Sequence, residues 1–305
     1  MLRSGQMSTS AVLPDARAAV LAWFDERGRA LAFRATRDPY AILVSEVMAQ
    51  QTQISRVIGA WSRFIARFPT VADLAAASPA DVLREWQGMG YDRRALNLRR
   101  AARAIVEDHG GVVPREVATL ERLPGIGPYT ARAVAAIAFG APVGAVDTNV
   151  RRVLGRAIAG DDAEIVARPG WIQDAADASV DPDRPGDWTH ALMDIGATIC
   201  RPQTPDCAAC PLRAWCRFAA VRPEAMPDPP RARSRATPFT ATTRWLRGRI
   251  VDRLRAAPGS EWSIIESGIG DHDLAAVRSA IAALVRDGVI ELDPVEPERV
   301  RLATR

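Results

Sequence analysis

The 305-residue chain contains no lysine; all 40 of its basic residues are arginine. A lysine Schiff base is thereby excluded from any chemistry it performs. Histidine is nearly as scarce. His109, His190 and His272 are widely separated, which argues against a histidine-rich metal site or a Ser/His/Asp triad. No run of about 18 apolar residues is present to cross a bilayer, and the N-terminus lacks the basic-then-apolar layout of a secretory signal. A cytoplasmic protein with no membrane partner is expected. Only four cysteines occur, and the core needs no disulfides: the length and an apolar fraction of 48% suit two domains. Met1–Gln6 read as an extension ahead of Met7.

What is present centres on Leu123-Pro124-Gly125-Ile126-Gly127-Pro128-Tyr129-Thr130, an Ala-rich segment to Gly140, and then Val146-Asp147-Thr148-Asn149. Two glycines one residue apart, followed by Pro128 at a helix-start position and an apolar repeat, describe a tight hairpin opening a helix. Bare N–H groups there favour an anion, and glycine lets its oxygens come close because no Cβ intervenes. A phosphodiester fits; so does a plain helix–hairpin–helix without a ligand. Upstream, a helix is expected over Pro14–Gly28. Ile42, Leu43 and Val47 then describe a buried helix in which Glu46 sits beside the apolar face. A buried carboxylate costs free energy unless paired or protonated, and a capping or salt-bridging glutamate is the alternative. Gln50, Gln51 and Gln53 supply neutral amides suited to base edges. Amphipathic helices follow to Val106, broken at Pro69, Pro79 and Gly88-Met89-Gly90-Tyr91. Arg93, Arg94, Arg99, Arg100 and Arg103 crowd the helix after that turn. They form a basic face with an aromatic at its mouth, suited to phosphate contact beside base stacking, or else a solvated surface. Pro114 is expected to start the helix entering the hairpin. A polar loop near 160–162 and a helix over about 187–199 lead to the cysteines.

Those cysteines run Cys200-x6-Cys207-x2-Cys210-x5-Cys216. In a cytoplasmic protein such clustering means metal rather than disulfides, and four thiolates suit a structural zinc or an iron–sulfur cluster. Zinc modules usually pair two C-x2-C knuckles across a longer loop, and only one knuckle exists here.

The hairpin, the Val146-Asp147 after it and the cysteine loop together resemble the endonuclease III and MutY superfamily of DNA glycosylases, from about Pro14 to Ala220. Within that span Ser45-Glu46-Val47-Met48-Ala49-Gln50-Gln51-Thr52-Gln53 resembles the MutY adenine glycosylase segment, with Ala49 where leucine is common. The resemblance implies an all-α, two-lobed helix–hairpin–helix fold. A six-helix barrel lobe would span about 46–150. A second lobe, about 14–45 plus 151–220, would carry a [4Fe–4S] cluster on Cys200, Cys207, Cys210 and Cys216, with the target base flipped into the cleft between the lobes. It implies a monomer, nucleoid-associated, that removes adenine mispaired with 8-oxoguanine or guanine in double-stranded DNA. Glu46 would protonate the leaving adenine, at N7, and afterwards activate water as the carboxylate. Asp147 would stabilise or transiently capture the oxocarbenium-like sugar, supported by Asn149 and Tyr129. Endonuclease III-type relatives carry a lysine where Tyr129 stands, so a monofunctional enzyme that leaves an abasic site is implied. Gln51, Thr52, Met89 and Tyr91 resemble residues that enter the duplex opposite the flipped adenine, and Gly125 and Gly127 would grip the backbone. Leu31, Phe33 and Arg34 stand where the family has a pocket segment, although Ala32 and Phe33 depart from its pattern. His190 stands where glutamine or glutamate is frequent near the adenine, with Asp194 one turn later; a pocket hydrogen-bonder and a packed helix residue both remain open. Asp92 replaces a common tyrosine.

Past the cysteines, Pro223, Pro227, Pro229 and Pro230 precede Arg231, Arg233 and Arg235, and 221–238 reads as a linker. Between Arg231 and Arg255 there are eight arginines against one acidic residue, Asp252, so this stretch is expected along phosphates. Helices over about 242–256, 262–267 and 271–287 and strands at 289–292 and 300–302 suggest a small winged-helix-like module at 239–303. It is too short for the Nudix-like domain of many MutY enzymes and resembles that of short actinobacterial members. Two other readings compete. A thymine or uracil mismatch glycosylase would share the fold, but Glu46 within its segment argues against it. A non-enzymatic iron–sulfur DNA-binding regulator would need neither Glu46 nor Asp147.

Overall fold

The computed structural model describes residues 11–160, 170–221, 237–257 and 261–304. The extension at 1–6, residues 161–162 of the expected polar loop and most of the 221–238 linker lie outside them. The chain divides into two compact units: Met1–Ile42, Arg115–Glu121 and Gly127–Arg231 form one, and Leu43–Pro114, Arg122–Ile126 and Ala232–Arg305 the other. Among the described residues no helix is long and apolar enough to cross a membrane.

The first unit contains α1 (Pro14–Arg27), the start of α2 (Pro39–Ala49), α7 (Val117–Leu120), α8 (Pro128–Phe139), α9 (Thr148–Leu154), α10 (Trp171–Ser179), α11 (Pro185–Asp194) and α12 (Arg217–Val221). Proline in the first turn of α1, α8 and α11 pre-sets φ where no N–H partner is needed. α1 and α8 both pack on α11, and Val20, Leu21, Val150, Leu154, Ile172, Trp188, Leu192 and Ile195 fill the core. Cutting a core residue such as Trp188 back to alanine would cost about 3–5 kcal/mol. Both α9 and α11 run on into a π-helical turn, at Gly155–Ala159 and Ile195–Ile199. Such turns frequently mark functional sites.

The second unit takes the rest of α2, then α3 (Ile54–Arg67), α4 (Val71–Ala76), α5 (Pro79–Glu85) and α6 (Arg93–His109). Thr70 and Asp73 close a capping box on α4, and the Ser78 hydroxyl accepts from Asp81 N to start α5. In its core the Phe64 ring lies 5.0 Å from Phe68 and 5.8 Å from Trp86, both edge-on. The C-terminal segment belongs to this unit: α13 (Thr243–Arg255), β1 (Ser263–Ile264), α14 (Leu274–Arg286), β2 (Ile290–Leu292) and β3 (Arg299–Leu302). Its antiparallel sheet has the order β1-β3-β2, with Ser263 opposite Val300 and Ile290 opposite Leu302. Arg255 fastens it, donating to Asp92 Oδ1 at 2.5 Å and to Leu83 O at 2.8 Å.

The structure departs from the expected secondary structure in two places. The helix expected at 262–267 is strand β1, because β-branched Ile264 and Ile265 lie beside a ready partner edge in β3. The helix expected from Pro114 begins only at Val117 and lasts four residues. In the division into units α8 and α9 fall in the first, where α8 packs against α11.

Candidate active site and cysteine centre

In the second unit, α2 is buried on all sides through Val47 and Met48, and Glu46 is only 6% exposed. The helix ends at Ala49, leaving carbonyls that need donors. Arg94 of α6 supplies them. Its Nη1 donates to Val47 O at 2.9 Å, to Met48 O at 3.1 Å and to Gln50 O. Its Nη2 donates to Thr52 Oγ1 at 2.9 Å, Met89 O at 3.0 Å and Gly90 O at 3.1 Å. Burial pulls the Arg94 guanidinium down to about 10, which still leaves it cationic at neutral pH. One side chain thus ties the end of the Glu46 helix to both turns expected to meet DNA. In those turns Gln51 and Tyr91 have φ of +51° and +50°, the only positive values at non-glycine residues among those described. A non-glycine residue held there costs about 1–3 kcal/mol and persists only where its surroundings impose it.

Gln51 and Tyr91 are exposed and Thr52 half-buried, as a DNA contact requires. Met89 is not: it is 3% exposed, and its carbonyl accepts from Arg94 Nη2 at 3.0 Å. The expected basic face is also reduced. Arg94 turns inward, Arg99 donates to Ala77 O at 2.5 Å, Arg103 pairs with Glu107 at 3.3 Å, and Arg93 lies 3.7 Å from Asp287.

At the hairpin the two glycines differ. Gly125 has φ +78°, and a Cβ there would sit 2.6 Å from Asn97 Cβ, so the fold itself demands glycine. Gly127, the N-cap of α8, has φ −92°, which any residue adopts, and a Cβ there would meet nothing within 4 Å. Tyr129 is half-buried, its hydroxyl donating to Met193 Sδ at 3.1 Å. Asp147 is the N-cap of α9. Its Oδ1 accepts from Val150 N at 2.7 Å and its Oδ2 from Asn149 Nδ2 at 3.1 Å. Asn149 Oδ1 in turn accepts from Arg152 Nη2 at 2.8 Å, and Arg152 Nε donates to Cys200 O at 2.7 Å. The half-buried Asp147 carboxylate is therefore held in place by a chain of bonds that ends at the first cysteine.

The segment expected to wall a pocket is tied to α11 through Asp194. Asp194 is fully buried, and it accepts from Arg29 N (2.9 Å), Arg29 Nε (2.7 Å), Arg34 Nη1 (2.9 Å) and Arg34 Nη2 (2.8 Å). Desolvation pushes its carboxyl up, but the bonds from Arg34 and then Arg29 outweigh it and hold the group below the usual carboxylate range. Arg34 is thereby engaged as an internal tie, with Phe33 buried and Leu31 half-buried beside it. His190, one turn before Asp194, is buried, and desolvation followed by the positive charge of Arg34 pulls its imidazole down to about 3. It is neutral at physiological pH.

Cys200, Cys207, Cys210 and Cys216 are free thiols that line a single cavity with Arg156, Leu212 and Phe218. Three of them, Cys200, Cys210 and Cys216, pack against the first unit's core. Burial pushes the Cys210 thiol up to about 12 and raises Cys207 and Cys216 as well. Such thiols ionise only when a cation compensates them. Among the described residues no group of three or more His, Cys, Asp or Glu is gathered to hold a metal ion. The fit therefore rests on the donor set and the shared cavity. Arg156, which sequence patterning did not single out, braces the loop: its Nη1 lies 3.7 Å from Cys200 Sγ and donates to Arg201 O at 2.9 Å, and its Nη2 donates to Pro202 O at 2.9 Å.

Residues 44–168 match the HhH-GPD superfamily of base excision DNA repair proteins. The chain is 43% identical over 240 residues to an adenine DNA glycosylase of Mycobacterium tuberculosis, 78% of each chain being covered. It is 42% identical over 275 residues to the Mycolicibacterium smegmatis adenine DNA glycosylase, covering 89% of this chain and 91% of that one. The human adenine DNA glycosylase is 44% identical over 213 residues, 66% of this chain and 39% of the human one. Among solved structures, a thermostable thymine-DNA glycosylase superposes with a TM-score of 0.62 at 29% identity, covering 67% of this chain and 95% of that one. An endonuclease III in non-covalent complex with DNA gives 0.55 at 25% identity, covering 68% and 94%.

Proposed function

Because the chain belongs to the HhH-GPD superfamily of base excision DNA repair proteins, in its adenine DNA glycosylase branch, we propose that it removes adenine mispaired with 8-oxoguanine or guanine from double-stranded DNA, acting as a monomer. The observation that carries this reading is Glu46, a carboxyl 6% exposed in an apolar helix whose end is fastened to the turns bearing Gln51 and Tyr91. In this reading the Glu46 carboxyl delivers a proton to N7 of adenine, so the base leaves neutral, and the resulting carboxylate then activates water. The sugar left behind is oxocarbenium-like, and Asp147, fixed by Val150 N and Asn149, stabilises it or captures it transiently. Since no protein atom requires glycine at Gly127, the open N-terminus of α8 supports approach of a phosphate there. Tyr129 and the absence of lysine support base removal without strand cleavage.

Cys200, Cys207, Cys210 and Cys216 would hold a [4Fe–4S] cluster. Bound there, it supplies the positive charge that keeps four thiolates ionised and closes their loop on the core of the first unit. Iron and sulfide analysis with a visible absorption spectrum tests this; a colourless protein with stoichiometric zinc overturns it.

The function is tested by single-turnover cleavage of duplexes carrying A opposite 8-oxoguanine, A opposite G, T opposite G and U opposite G, with alkali to reveal abasic sites. Adenine excision is expected, abolished in Glu46→Gln and slowed at least a hundredfold, on the order expected for loss of a transition-state carboxylate, in Asp147→Asn. Thymine-only excision, the activity named for one structural neighbour, or no excision at all, defeats the reading. Stoichiometric borohydride trapping of an enzyme–DNA adduct defeats the monofunctional assignment.

A further inference from the structure

The C-terminal module does more than pack on the second unit. The first turn of α13 and the turns carrying Gln51 and Tyr91 line one open groove. Several arginines of that groove are already engaged: Arg247 with Asp287, Arg249 with Asp252, and Arg255 with Asp92 and Asp252. Arg244 differs. It is exposed, and among the described residues it has no carboxylate partner. Its guanidinium lies over the Tyr91 ring, 3.9 Å from the centroid, and 5.8 Å from the Phe239 ring. Tyr91 is itself 40% exposed and Phe239 60% exposed.

Two features speak against mere packing. Arg244 occupies the first turn of α13, where the positive end of the helix dipole disfavours a cation and no acidic residue offsets it. It also rests on Tyr91, one of the two non-glycine residues held at positive φ. A locally unfavourable charge stacked on a strained aromatic is a combination that folding alone does not require. A guanidinium seated over a ring face keeps N–H groups for a partner beyond the ring, and a pair of them matches a pair of acceptors: phosphate oxygens, or O6 and N7 of a guanine-type base.

We propose that Arg244, set by the C-terminal module on the face of Tyr91, is a DNA-binding residue that holds such an acceptor pair on the strand entering the Gln51 and Tyr91 turns. The proposal rests on the DNA glycosylase reading above and gives the module a role in substrate binding. Phe239, at the same mouth, offers a second surface on which a base stacks.

The test measures affinity of the full chain, in the Glu46→Gln background so that no product forms, for duplexes with A opposite G, A opposite 8-oxoguanine, and full pairing, over a range of salt. Arg244→Ala should bind roughly tenfold more weakly and lose about one from the slope of log K against log salt. Arg244→Lys should restore the slope but not the full affinity, because an ammonium cannot present a flat two-donor edge. Equal weakening on all three duplexes assigns the acceptor to phosphate; weakening confined to the two mispaired duplexes assigns it to the base. Affinity and slope within twofold of the parent overturn the proposal, and a lowered melting temperature alone would mark Arg244 as an internal strut. If the chain with Glu46 intact removes no adenine, the functional reading falls, while the fate of Arg244 is still decided by binding.

Discussion

Arg94 donates to six oxygens drawn from the end of α2, the Gln50–Thr52 turn and the Met89–Gly90 turn. Helical periodicity places Arg93 and Arg100 on one stripe and Arg94 about 100° away, beside the apolar face of α6, but nothing in that pattern names the oxygens it folds onto. Glu46 and Asp147 were legible for the opposite reason. A carboxylate among apolar positions contradicts its surroundings, and Asp ahead of an apolar helical segment is a capping signal. The Arg34–Asp194 tie was not legible, because its partners stand 160 residues apart and each reads locally as an ordinary polar residue. Arg94→Lys should expose the difference between shape and charge. An ammonium has three donors at one point and no planar fork, against four Nη hydrogens that Arg94 spreads over six acceptors on two sides, so some of those acceptors lose their partner. We expect a loss of about 2–3 kcal/mol in equilibrium denaturation, the sum of a few buried hydrogen bonds, together with weaker DNA binding as Gln51 and Tyr91 relax from positive φ. An unchanged denaturation midpoint would show that the six bonds do not hold these turns.

Among the elements, the hairpin between α7 and α8 was readable from its glycines, but their division of labour was not. Sequence shows two glycines; only the backbone shows that Gly125 is left-handed and pressed on Asn97 while Gly127 is neither. This separates two substitutions. Gly125→Ala forces a Cβ to 2.6 Å from Asn97 Cβ at φ +78° and should lower stability by roughly 1–3 kcal/mol. Gly127→Ser should leave thermal stability unchanged or slightly higher, since serine is a better N-cap than glycine, yet weaken DNA binding several-fold by filling the space a phosphate needs. Thermal melts paired with DNA titrations check both, and a Gly127→Ser protein that binds normally removes the hairpin from the DNA surface. Strand β1 shows the converse limit. Trp262-Ser263-Ile264-Ile265 is too short for its periodicity to decide between helix and strand, and its conformation is settled by pairing with β3, which lies more than 30 residues further along.

At the scale of the molecule, amphipathic patterning shows which face of a helix is apolar but not which partner covers it, so α8 and the C-terminal module could not be assigned to a unit before their packing was known. The cysteines are the reverse case, legible in spacing and confined to one unit. That confinement has a measurable consequence. Cys200, Cys210 and Cys216 abut a core built from α1, α9, α10 and α11, and Arg152 and Arg156 bind backbone oxygens of the same loop. The second unit contains no cysteine. Oxidative loss of the cluster, or Cys210→Ser, should therefore act on one unit and spare the other. Hydrogen exchange followed by peptide-resolved mass spectrometry should show protection falling in α9, α11 and the 195–221 region, with α3 to α6 unchanged within error. Because Asp147 is joined to Cys200 through Asn149 and Arg152, amides at the start of α9 should lose protection along with the loop. Uniform loss across both units would mean that the cysteines support the whole chain, and no loss anywhere would mean that the thiols hold nothing on which the fold depends.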